Sequence, residues 1–139
     1  MARVVRHLVL DNEAAQALLQ GGAAPHPKRA QVLLAVAAAN GRRVVPTAVR
    51  GEAGWDRGQA VSADANRLVS EDSPFDAAAA NRAVQLMALT PGASVVDASV
   101  AVAAERIGQG GVVEVLTSDV PDQKGLAANV AVDVIVVGL

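Results

Sequence analysis

Cysteine is absent from the 139-residue chain, which excludes disulfides, thiolate metal sites and a thiol nucleophile. Histidine is nearly absent, and His7 and His26 are too few for a histidine-rich zinc centre. Any bound metal must therefore be held by oxygen. Trp55 and Phe75 are the only aromatic residues, so successive bases cannot stack along a platform of rings, and single-strand-binding modules of that kind are excluded. Strong positive charge is missing too. The formal net charge is -2, and contact with nucleic acid must be local rather than driven by the field of the whole molecule. Nearly all the basic residues are arginine, which suits bidentate phosphate contacts, although a GC-rich genome produces the same bias. Finally, no run of about eighteen apolar residues exists to span a bilayer, and Met1 to Arg6 lacks the apolar stretch and cleavage site of a signal peptide. The expectation is a cytoplasmic protein, no membrane partner, and a single domain over 1–139 with one core.

What is present is an alternation of short Val- and Leu-rich runs with Ala-rich helical segments. Leu8 to Leu10 reads as a strand ending at Asp11, followed by a helix over 12–19 that Gly21 and Gly22 close. Pro27 suits a first helical position, and Lys28 to Ala39 continues to a stop at Asn40-Gly41. Arg43 to Pro46 gives a second strand, and a short helix from Ala48 to Asp56 carries Glu52. Between Ser62 and Ser73 the pattern is open: helix or turn at 63–66, with 67–69 as a possible edge strand. Asp76 is placed to cap a helix over 77–89, and another runs from Ser94 through Asp97 to Ile107. Val112 to Leu116 is a strand leading to Asp119, Lys124 to Asn129 a short helix, and Val130 to Val137 a last strand. Strands separated by helices predict a parallel sheet covered on both faces, with a ligand crevice at the carboxyl ends of its strands.

Four acids fall at that end of the sheet: Asp11 after the first strand, Glu52 just after the second, Asp97 opening a late helix, and Asp119 after the strand that follows. Carboxylates crowded into one crevice repel each other unless a hard cation neutralises them, and Mg²⁺ or Mn²⁺ suits an all-oxygen donor set. A bound ion would lower the pKa of an attacking water and offset charge developing on a phosphate. Each acid also has a simpler explanation. Helix N-termini attract Asp for capping, which applies to Asp11 and Asp97, and a solvated face would account for Glu52 and Asp119. The remaining acids, among them Asp56, Asp64, Glu71, Asp72, Asp76, Glu105 and Glu114, read as caps, turns and exposed faces.

The segments LVLDNEAAQALL around Asp11, PTAVRGEAGW around Glu52, VVDASVAVAAERIG around Asp97 and VEVLTSDVPDQKGLA around Asp119 resemble the PIN-domain nucleases, and among them the VapC-type toxins of bacterial toxin-antitoxin pairs. The likeness implies a three-layer α/β/α sandwich with a central parallel sheet of four to five strands. It further implies Mg²⁺- or Mn²⁺-dependent endoribonuclease activity, a small antitoxin partner, and a homodimer. Catalytic and metal-binding roles would fall to Asp11, Glu52, Asp97 and Asp119. The family varies in which acid of the last segment completes the site, so Asp122 is a further candidate ligand or an outer partner. Asn12 departs from the Ser or Thr that members often carry there, and residues 62–73 match poorly.

Two other readings compete with an RNA-cleaving toxin in which Arg50 or Arg57 touches phosphate at the mouth of the site. One is a PIN scaffold that acts through protein binding without useful turnover. The other is a phosphate-accepting receiver domain, which needs paired acids after the first strand and an acceptor Asp at the end of the third. Asp11 is followed by Asn12 and no Asp ends a clear third strand.

Overall fold

A computed structural model describes residues 3–139. Five strands form one sheet, β1 (Arg6–Leu10), β2 (Arg43–Pro46), β3 (Glu71–Ser73), β4 (Val112–Thr117) and β5 (Asp133–Gly138). All pair in parallel, in the spatial order β3-β2-β1-β4-β5. Seven helices connect them: α1 (Asn12–Leu19), α2 (Arg29–Ala38), α3 (Thr47–Ala53), α4 (Ala63–Leu68), α5 (Ala77–Leu89), α6 (Val95–Ile107) and α7 (Val120–Ala127).

Leu8, Val9 and Leu10 are wholly buried in succession. Neighbouring strand residues point to opposite faces, so both sides of the sheet are covered. The two covers follow from the connections. From β1 the chain steps to β2 and then β3, whereas from β3 it crosses to β4 and then steps outward to β5. Because such crossovers are right-handed, the reversal of direction places α1 to α4 on one face and α5 to α7 on the other. The packing agrees for most pairs: α1 touches α2, α3 and α4, and α5, α6 and α7 touch one another, while α3 also meets α6. The main core lies between the sheet, α1 and the inner side of α6, and a second cluster with Leu86, Val102 and Leu126 fills the space among α5, α6 and α7. Among the described residues no helix is long and apolar enough to cross a membrane.

The expected three-layer α/β/α sandwich is present, with local differences. The unsettled stretch after Ser62 is helix α4, and the edge strand β3 follows at Glu71–Ser73 rather than at 67–69. α3 stops at Gly54, whose left-handed φ of 72° ends the helix before Asp56 is reached. α2 begins at Arg29, so Pro27 precedes the helix. β5 begins at Asp133 rather than Val130. The difference that matters most is α7, which starts at Val120 and not at Lys124. Proline is tolerated in a first helical turn because its missing N–H would be unpaired there anyway, so Pro121 admits the helix and Asp122 falls in its first turn.

Candidate metal centre

β1 and β4 are neighbours from which the chain departs in opposite directions, so the switch point of the sheet lies at their carboxyl ends. Asp11 follows β1 directly, and its N–H donates to the Leu116 carbonyl of β4 at 3.0 Å. The residue is 5% exposed. One carboxylate oxygen accepts from Asn12 N–H at 2.7 Å, capping α1, and the other accepts from the Thr117 hydroxyl at 2.6 Å. Burial raises the Asp11 pKa above the ordinary carboxylate value. The bonds from Thr117 and Asn12 oppose that rise, and the negative charges of Asp97 and Glu52 add to it.

Asp97 reaches the crevice from the opposite layer, in the first turn of α6. Ser94 and Asp97 form a capping box: the Ser94 hydroxyl accepts from Asp97 N–H at 3.0 Å, and the Asp97 carboxylate accepts from Ser94 N–H at 3.2 Å. Capping and a site position coincide in Asp97, as they do in Asp11. Asp119 differs, for it occupies the N-cap position of α7 yet its carboxylate caps nothing. Its N–H donates to the Thr117 hydroxyl at 2.9 Å, which turns the chain out of β4.

Asp97, Asp119 and Asp122 each offer a carboxylate oxygen, and the three atoms lie within 4.8 Å of one another. The Asp122 carboxyl is held above its usual pKa, first by a hydrogen bond with Asp119 and then by desolvation and the charges of Asp119 and Asp97. Asp122, set apart in the sequence as a further candidate, is thus a full member of the cluster. Asp11 and Glu52 lie outside that group of three, near enough for the charge of Glu52 to act on Asp11. Glu52 is exposed on α3, which touches α6.

Elsewhere carboxylates are matched with cations: Asp76 with Arg106, Glu105 with Arg82, and Glu71 with Arg42. Among the described residues none of Asp11, Glu52, Asp97, Asp119 and Asp122 has an ion-pair partner. An all-carboxylate donor set of this spacing without a protein cation is chemically suited to a hard divalent ion.

Arg50 and Arg57 do not stand free at the mouth as the sequence suggested. Both pair with Asp72 on β3, each at 2.8 Å. Arg50 also donates to the Trp55 carbonyl, and Arg57 donates to the Val69 carbonyl and stacks 4.8 Å from the Trp55 ring centre. Trp55 is buried, with its indole N–H on Asn66 at 2.8 Å. Asp72, half-buried, is accordingly the hub of a structural network. β3 ends at Ser73, and the aspartate within it, Asp72, is held by Arg50 and Arg57, so no free acceptor aspartate ends the third strand.

Thr117 and Gln123 escaped the sequence reading. A lone Thr at a strand end and a Gln in a short helix carry no recognisable pattern, and only the pairing of β1 with β4 and of α6 with α7 gives them partners.

The arrangement of layers, strand order and carboxyl-end crevice is a PIN-like fold. It superposes on a chain in the structure of FitAB bound to an IR36 DNA fragment, with a TM-score of 0.57, 16% sequence identity, and coverage of 93% of this chain and 94% of that one. No family model matches the chain, and no curated protein matches it.

Proposed function

We propose that the chain, taken as one PIN-like domain over 1–139, is a Mg²⁺- or Mn²⁺-dependent endoribonuclease, the toxin of a VapC-type toxin-antitoxin pair. The observation that carries this reading is the meeting of Asp97, Asp119 and Asp122 at the switch point of the sheet, with no ion pair made by any of them among the described residues. These three would hold the metal, joined by Asp11 and by Glu52, whose exposed carboxylate suits the orientation of bound water. When bound, the ion would lower the pKa of an attacking water and offset charge on the scissile phosphate. The protein's part is to fix the carboxylates: α6 and its cap hold Asp97, Thr117 ties Asp11 to β4, and α7 presents Asp122. The likeness to a chain solved with bound DNA is in keeping with a nucleic-acid partner. RNA as substrate, a small antitoxin, a homodimer and a cytoplasmic location complete the proposal.

Purified protein is expected to cleave RNA with Mn²⁺ or Mg²⁺, to stop on chelation, and to lose most activity as Asp97→Asn. Cleavage indifferent to chelator or to that substitution would overturn the proposal. The engagement of Arg50 and Arg57 by Asp72 favours the second reading, a scaffold without the phosphate contacts expected of a nuclease. Calorimetry separates the two, since a nuclease of this kind requires Mn²⁺ uptake and a scaffold does not.

A further inference from the structure

Three carboxylates at such close range repel each other, and the simplest relief is for α7 to move away from α6. Apolar packing resists this through Leu126 and Val102, but such contacts are non-directional and permit small displacements. One polar contact is directional. Gln123 of α7 is 2% exposed, and its side-chain amide donates to the Asp97 carbonyl at 3.1 Å. Among the described residues it makes the side-chain hydrogen bond that joins α7 to α6. A carbonyl can only accept, so the partner also fixes which end of the amide points there.

Gln123 is connected to every member of the cluster. It is peptide-linked to Asp122, its backbone N–H donates to the Asp119 carbonyl at 3.2 Å, and its side chain holds Asp97. The contact lies on the main chain of Asp97, so the Asp97 carboxylate remains available to a ligand. A buried amide is kept at the expense of desolvation, and an apolar residue of the same length would fill this space.

We propose that Gln123 is a positioning residue for the metal centre, a buried clamp that sets the separation of Asp97 from Asp119 and Asp122. The inference rests on the metal-binding reading of the crevice. Gln123 touches no ligand itself and acts through the main chain of its neighbours.

The test compares the parent chain with Gln123→Met and Gln123→Leu, which keep the volume but cannot donate. Mn²⁺ affinity is measured by calorimetry and thermal unfolding in the presence of chelator. Ser99→Ala serves as a control, because the Ser99 hydroxyl is also buried but bonds within α6, to the Val96 carbonyl. Both Gln123 variants are expected to bind Mn²⁺ about tenfold more weakly, the lower end of what outer partners of metal ligands contribute. Their midpoints in chelator should stay within about 4 °C of the parent, a change that corresponds to roughly 1–2 kcal/mol. Ser99→Ala should retain parental affinity. A residue with only a structural role would lower the midpoint and leave the affinity of folded protein unchanged, and that result overturns the clamp. Parental affinity in whichever Gln123 variant folds also overturns it, with the metal reading intact. Absence of Mn²⁺ uptake by the parent overturns both.

Discussion

The hydroxyl of Thr117 donates to Oδ2 of Asp11 at 2.6 Å while accepting from the N–H of Asp119 at 2.9 Å. One wholly buried side chain thereby joins two of the proposed ligands across the β1–β4 boundary. Thr117→Val keeps the shape and removes both bonds. Leaving a buried carboxylate oxygen without its donor is expected to cost about 1–3 kcal/mol, read as a lower urea midpoint at pH 7.

Asp11 itself gives stability a particular pH dependence. Its folded pKa is raised, chiefly by burial, so the folded state holds its proton more tightly than the unfolded state, where the value is about 3.9. The contribution is favourable below that unfolded value and is lost as pH rises through the folded one. In chelator, Asp11→Asn should therefore gain on the parent as pH climbs from about 4 towards neutrality. Parallel stability curves for the two proteins over that range would contradict the assignment.

Metal should act in the opposite direction. Mn²⁺ at about a hundred times its dissociation constant is expected to stabilise the parent by about 2.7 kcal/mol, visible as a rise of several degrees in thermal midpoint. Asp119→Asn should abolish this rise. In chelator the same variant should melt no lower than the parent, because it removes one of three repelling charges whose carboxylate caps no helix.

Asp72 and its two arginines are expected to behave as structure. Burial alone would raise the Asp72 pKa, but bonds and charge from Arg57 and Arg50 outweigh it and hold the value low. Arg57→Ala loses an ion pair, the bond to Val69 and the stacking on Trp55, for a cost of about 1–3 kcal/mol in denaturant titrations. The KM of the folded variant for RNA should change less than about twofold, in contrast to the roughly tenfold expected of a charged phosphate contact worth about 1.4 kcal/mol.

Much of this architecture is legible without coordinates, for identifiable reasons. β1, β4, α5 and α6 are dense apolar runs that end on capping or breaking residues, so their extents lie close to expectation. Pro121 obscures the start of α7, because it reads as a breaker until its place in a first turn is known. That obscures Asp122 in turn, since its membership of the cluster depends on helix geometry. Arg50 and Arg57 look like free cations in the sequence because Asp72 lies about twenty residues beyond the first of them, and a network closed through tertiary contacts leaves no local trace. The ordering of Asp11, Asp97 and Asp119 along the chain was informative because strand ends and helix starts in a parallel sheet converge on one edge.

The placement of β4 between β1 and β5 has a consequence for biogenesis. Asp11 emerges early from the ribosome, but the hydroxyl that steadies it comes 106 residues later. The nascent polypeptide therefore holds only fragments of the crevice for most of its synthesis. The crevice is complete only once translation has delivered the fourth strand and it has been inserted beside the first.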